Sequence, residues 1–231
     1  MNTRDHSERR NAMSLKAVLC DLDGTLVDSA EDIRCALNEL LAGCGRDPVG
    51  SDEIKAMIGD GVGKLIERAL AARGGDPSEA PRLVPRFLAL YEPNAARSTR
   101  PYPGVRETLQ ALRSRGLRVA VVTNKPEAAT REILASLELS PLVDVVVGGD
   151  TAQERKPHPA PVLLALDRLG VAPADAVMVG DNHHDVSAAR AAGVRAIAVT
   201  YGYSHVPHEE LGAERLLARF PELLAALELP A

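Results

Sequence analysis

Two aspartates spaced by one residue, Asp21 and Asp23, stand with Gly24 and Thr25 directly after the apolar run Ala17 to Cys20. Later apolar runs lead into Thr123-Asn124-Lys125-Pro126, into Lys156-Pro157, and into Gly180-Asp181 with Asp185 beyond. If each run is a strand of one parallel sheet, these residues meet, because ligands of doubly wound sheets bind beyond the carboxyl ends of the strands. Three or four carboxylates, one hydroxyl and one lysine then share a crevice. So much negative charge is unfavourable without a cation, and an all-oxygen donor set with open positions suits Mg²⁺. The pattern predicts phosphoryl chemistry. The ion neutralises an incoming phosphate dianion, so that a carboxylate can approach phosphorus as nucleophile. Thr123 and Lys156 bind the remaining phosphoryl oxygens, and Asp23 protonates the leaving oxygen and later deprotonates water. Gly24 supplies the tight turn that brings backbone N–H groups near the phosphate.

The elements that must position these residues are readable from apolar periodicity. Ala17 to Cys20, Val119 to Val122, Val143 to Val147, Ala176 to Val179 and Ala196 to Val199 lack polar alternation, as strands covered on both faces do. Between them, sets such as Val105, Leu109 and Leu112, or Ala129, Ile133 and Leu137, have helical spacing. Strand and helix in alternation predict an α/β fold, a parallel sheet wound on both sides. The alternation breaks once, after the first strand, in a long stretch that reads as helices only. That stretch is expected to be an inserted all-helical domain over 28–100, hinged at Val27 to Ala30 and Ser98 to Pro103, with the α/β core formed by 15–27 and 101–231. The polar, mixed-charge segment 1–14 is expected to be a disordered tail.

Asp21-Leu22-Asp23-Gly24-Thr25 followed by Leu26-Val27-Asp28-Ser29 resembles the first signature of the haloacid dehalogenase superfamily, and its threonine, lysine and Gly-Asp signatures follow in order. The resemblance runs from Lys16 to the C-terminus. It implies a Rossmann-like core with a helical cap, Asp21 as nucleophile and metal ligand, Asp23 as acid/base with its backbone carbonyl on Mg²⁺, and Asp181 as third ligand. It further implies a phosphate site built from Gly24, Thr25, Thr123, Asn124 and Lys156, with Asp185 in an outer shell. Thr123-Asn124-Lys125-Pro126, Gly148-Gly149-Asp150, Lys156-Pro157-His158-Pro159, Thr200-Tyr201-Gly202-Tyr203 and Ile58-Gly59-Asp60-Gly61 together look like the bacterial phosphoglycolate phosphatase group. The substrate this implies is a small phosphorylated organic acid.

Each feature also has a plainer reading. An isolated Asp-x-Asp can cap a helix, Thr123 can cap a helix opening at Pro126, and Lys156 can be a surface lysine. The four signatures in order favour chemistry over these. His183 and His184 are expected to point in different directions and to serve loop packing rather than catalysis. The loop at Gly59, Asp60 and Gly61 reads either as a helix connection or as a lid over a small carboxylate, with Lys64 or Arg68 as partners of that carboxylate. Phe87 and Tyr91 read as the core of the helical insert. Other functions stay open: a sugar-phosphate phosphatase or phosphomutase, and more remotely a phosphoacceptor signalling module. A dehalogenase is disfavoured, because displacement at carbon needs neither Asp23 nor a metal.

At 231 residues, 45% hydrophobic and 26% charged, the chain has the balance of an ordinary globular protein. Its formal charge of -5 argues against nucleic acid and against anionic membrane surfaces. Cys20, Cys35 and Cys44 show no CxxC spacing, so neither a disulfide framework nor a zinc site is expected, and the setting reads as cytoplasmic. A monomer or weak homodimer is expected.

Overall fold

The computed structural model describes residues 15–227, so the expected tail over 1–14 lies outside the described residues. In chain order the first half comprises β1 (Ala17–Cys20), β2 (Val27–Asp28), α1 (Ala30–Ala42), α2 (Ser51–Lys55), α3 (Val62–Ala72), α4 (Ala80–Tyr91) and β3 (Arg100–Pro101). The second half comprises α5 (Val105–Ser114), β4 (Arg118–Val122), α6 (Glu127–Ser136), β5 (Val145–Val147), α7 (Ala160–Leu169), β6 (Ala176–Gly180), α8 (His183–Ala191), β7 (Arg195–Val199), β8 (Arg215–Leu217) and α9 (Leu223–Ala226).

The main sheet runs in the order β5-β4-β1-β6-β7-β8, and every neighbouring pair in it is parallel. The period-2 geometry of a strand sorts its side chains into two layers. Val18, Cys20, Val119, Val121, Val177 and Val179 join one core with residues of α5, α6 and α9, and that core continues into the helices between β2 and β3. Ala17, Leu19, Ala120, Val122, Ala176 and Met178 join the other with α7 and α8. Coverage on both faces explains why these strands carry no polar alternation. Because β1 lies between β4 and β6, the winding reverses at its carboxyl end. A crevice opens at such a point, and Asp21 is the next residue.

Three strands have no counterpart in the sequence reading. β8 is a three-residue edge strand with one buried residue, Leu217, too short for a hydrophobic run to announce. The two expected hinge segments pair with each other as an antiparallel ribbon, Val27 opposite Pro101 and Asp28 opposite Arg100. Asp32, buried near the start of α1, fastens the return: it accepts hydrogen bonds from Ser98 N (2.9 Å), Thr99 N (2.8 Å) and Thr99 Oγ1 (2.7 Å). Between the crossings, α4 packs against both α1 and α3, and Phe87 and Tyr91 stack with ring centres 5.6 Å apart.

Candidate active site

Asp21 leaves β1 at the crevice and meets Lys156, whose Nζ lies 2.9 Å from Asp21 Oδ1 and 2.6 Å from Asp185 Oδ1. Lys156 also donates to Val122 O at 2.6 Å, which fixes it against the end of β4. Asp185 is held from its other oxygen by Asn182 N, at the start of α8. Asp181, at the end of β6, is buried and accepts from Thr25 Oγ1 (3.0 Å) and Tyr203 N (2.6 Å). Oxygens of Asp21, Asp181 and Asp185 lie within 4.8 Å of one another. One ammonium therefore answers three carboxylates. The consequence is visible in their acidity: burial, followed by repulsion from Asp185 after partial relief by Lys156, pushes the Asp21 carboxyl up to about 6. Burial and the neighbouring Asp185 and Asp21 push Asp181 well above the usual range too. Burial pulls Lys156 down, but Asp185 and Asp21 more than reverse this, and its pKa is raised.

Asp23 faces other company. Lys125 Nζ reaches its two oxygens at 3.0 and 2.8 Å, and Ser29 Oγ donates to it at 2.5 Å. Lys125 is buried, yet Asp23 and Tyr91 raise its pKa against the effect of burial. Both aspartates open into one cavity, with Thr123 and Lys125 in its floor and Ile33, Leu65, Phe87 and Tyr91 of the helical insert in its roof.

Gly24 has φ +85°, which an L side chain rarely adopts, and a Cβ there would overlap the Asp181 carboxylate. Its N–H donates to Val27 O at 2.9 Å, and the Thr25 hydroxyl donates to Asp181. These groups close the turn and hold a carboxylate, instead of facing a phosphate as expected. Thr123 lines the cavity, and its Oγ1 accepts from Lys125 N at 3.3 Å. Asn124 also lines the cavity, while its Nδ2 ties Gly59 O (3.0 Å) of the insert to Lys156 O (2.9 Å) of the core.

Gly59 and Gly61 line the cavity, whereas Asp60 turns to the core and meets His184 Nε2. Burial, despite Asp60, lowers the His184 pKa, so at neutral pH a neutral ring donates to Asp60. Arg68, 2.6 Å from Asp60, supplies the charge partner. The rings of His183 and His184 lie 3.8 Å apart on the first turn of α8 and do not point in different directions. Neither expected carboxylate partner faces the cavity. Lys64 is exposed and pairs with Glu67 at 2.8 Å, and Arg68 is spent on Asp60 and Met57 O.

Residues 18–199 match the haloacid dehalogenase-like hydrolase family. The chain belongs to that family. A relative named phosphoglycolate phosphatase, from Rhodospirillum rubrum, is 44% identical over 214 residues, covering 90% of this chain and 89% of its own. The crystal structure of a predicted phosphoglycolate phosphatase from Haemophilus somnus superposes with a TM-score of 0.87 at 31% identity, covering 92% of this chain and 97% of that one. A variant of CbbY from Rhodobacter sphaeroides, in complex with xylulose-1,5-bisphosphate, superposes with a TM-score of 0.75 at 30% identity and covers 92% and 99%.

In this haloacid dehalogenase-like hydrolase a divalent cation fits the corner at Asp21. The donors are hard carboxylate oxygens, they lie close together, and one lysine leaves negative charge unrelieved. Asp185, expected in an outer shell, is one of the three clustered carboxylates, while the Asp23 carboxylate stands apart with Lys125. Lys125 is the residue that sequence reasoning missed. Its signal was present, since it stands two places after Thr123 in a string already singled out. Tyr203 entered the sequence reading only within the string Thr200-Tyr201-Gly202-Tyr203; its N–H holds Asp181, and its hydroxyl accepts from Ser29 N and Ala30 N while bonding Asp28. Among the described residues the cysteines are free and no helix is long and apolar enough to cross a membrane.

Proposed function

We propose that this hydrolase is a Mg²⁺-dependent phosphomonoesterase that converts 2-phosphoglycolate to glycolate and phosphate through an aspartyl phosphate on Asp21. The observation that carries the reading is that Asp21 and Asp23 share one cavity with opposite surroundings: Asp21 among excess carboxylates, Asp23 matched to a lysine. In the first step an Asp21 oxygen attacks phosphorus, the ester P–O bond breaks, and the glycolate oxygen takes a proton from Asp23. In the second, water attacks phosphorus, gives its proton to Asp23, and the bond from phosphorus to Asp21 breaks to release phosphate. Asp21, Asp181 and the Asp23 main-chain carbonyl would hold the Mg²⁺, which supplies neutralising charge at the phosphate. Lys156 and Thr123 bind and orient phosphoryl oxygens.

The likeness to relatives named phosphoglycolate phosphatase supports the substrate. The relative solved with xylulose-1,5-bisphosphate supports a second reading, a sugar phosphate. A panel of small phosphoesters assayed with and without Mg²⁺ separates them. Highest kcat/KM on 2-phosphoglycolate, lost without the metal, is expected; preference for a phosphosugar overturns the substrate, and full turnover in chelator overturns the metal. A cytoplasmic monomer or weak homodimer completes the proposal.

A further inference from the structure

The roof of the cavity is hydrocarbon except at one side-chain atom. Ile33, Val62, Leu65 and Phe87 offer only apolar surface, and the Tyr91 hydroxyl is the one polar side-chain group that the insert contributes to the lining. Tyr91 is 2% exposed, and its hydroxyl has no partner in good hydrogen-bond geometry, with only the Lys125 ammonium near it. A hydroxyl buried in this way is costly unless a ligand satisfies it. Below it, the Lys125 ammonium stands 4.8 Å from the centre of the Tyr91 ring. Lys125 is the cationic side chain beneath this roof, while Lys156 lines the adjoining space beside Asp21. An ammonium has three protons, and the Asp23 oxygens take two of its directions.

Resting on the phosphoglycolate reading, we infer that Tyr91 and Lys125 together hold the substrate carboxylate while its phosphate lies at Asp21. One anionic group of the substrate then answers both the buried Tyr91 hydroxyl and the cation beneath the roof, and the apolar walls exclude competing water. Lys64 and Arg68 cannot take this role from where they stand, since Glu67 and Asp60 engage them. A site built to bond a polar group discriminates strongly against analogues that lack it, because its own donors are left unpaired. Recognition of the acid is thereby set by Tyr91, which takes no part in phosphoryl transfer, together with Lys125, which also holds Asp23.

The test compares wild type with Tyr91→Phe on 2-phosphoglycolate and on 2-hydroxyethyl phosphate, which has the same length and an alcohol in place of the carboxylate. Phenylalanine keeps the ring that stacks on Phe87 and covers Lys125, and removes only the hydroxyl. The ratio of kcat/KM for the acid to that for the alcohol is expected to favour the acid in wild type and to fall about tenfold in the variant, through KM. A purely structural role for Tyr91 lowers both substrates together. An unchanged ratio in the variant, with wild type preferring the acid, overturns the inference and leaves the substrate reading standing. A wild type that prefers a phosphosugar to both esters removes the substrate reading, and the inference with it.

Discussion

Asp21 and Asp23 are two residues apart and each has a buried lysine, yet the two halves of the site differ in charge balance. On the side of β6 and α8, Lys156 serves Asp21 and Asp185 with Asp181 close by, so negative charge is in excess. On the side of the helical insert, Lys125 and Asp23 form a matched pair under an apolar roof. The difference teaches what each half is for. A surplus of buried carboxylate is a poor way to stabilise a fold and a good way to hold a cation. A matched pair under hydrocarbon holds its acid/base group in place and leaves the cavity near neutral, ready for a small anion. Two lysines that look equivalent in the sequence therefore do different work.

The strongest way to break this comparison is Asp21→Asn. Turnover is expected to fall by at least about 10⁴-fold, because the proposed mechanism has no other nucleophile to attack phosphorus. Without metal the variant should melt no lower than wild type, since it removes one of the crowded charges; activity near the wild-type level would end the proposed mechanism. Lys156→Met comes next. It strands Asp21 and Asp185 and should cost about 3–5 kcal/mol of stability, as removal of one partner from a buried ion pair does. Denaturant melts of Lys156→Met and Lys125→Met with and without Mg²⁺ sharpen the contrast: the ion should restore part of the first loss and none of the second. Equal rescue of both would mean that the charge surplus is not confined to the Asp21 side.

A third effect is smaller and depends on pH. Asp21 is raised from its ordinary 3.8 to about 6, so between those values the folded chain binds more protons than the unfolded one. The contribution of Asp21 to the stability of the metal-free protein, read as the difference between wild type and Asp21→Asn, is then greatest below about 4, falls as pH rises to about 6, and adds no further slope above that, a total of at most about 3 kcal/mol. Urea melts in chelator across this range should show the decline. Saturating Mg²⁺ should flatten it, because the ion stabilises the ionised carboxylates; a stability that rises over the same range in chelator would contradict the crowding.

The floor of the site was legible because its residues follow strands, and buried parallel strands announce themselves as short apolar runs. Asp21, Thr123, Lys156 and Asp181 each come just after such a run or in the loop beyond it, so order along the chain translated directly into a shared crevice. The roof was less legible. Helical spacing marks which residues of the insert are buried and says nothing of which of them line a cavity, so Tyr91 read as core although it also lines the cavity. Thr25 and Gly24 read as phosphate contacts because the string Asp21 to Thr25 is contiguous. In the fold the turn folds back on Asp181, and the Thr200–Tyr203 loop packs over it, with Gly202 so close to Asp181 that a Cβ would overlap it. Lys64 and Arg68 were plausible by charge alone, and only their local partners, Glu67 and Asp60, show where they point.

A direct contact between the halves is the smallest in expected effect. His184 at the start of α8 and Asp60 of the insert form a direct link across the mouth of the site, beside the Asn124 bond to Gly59 O. Since the ring is neutral at neutral pH, what it offers Asp60 is a hydrogen bond, while Arg68 carries the charge. His184→Gln keeps a donor of similar reach and should change little. His184→Ala removes the donor and should raise KM about three- to tenfold, with kcat nearly unchanged, because a lost hydrogen bond to a charged acceptor is worth about 1 kcal/mol or somewhat more at a partly exposed site. Steady-state kinetics of the pair on 2-phosphoglycolate would check this. If alanine lowered kcat and left KM alone, the link would act on the chemistry at neighbouring Asp185 instead of on the seating of the insert, and the two halves could no longer be treated as separately tunable.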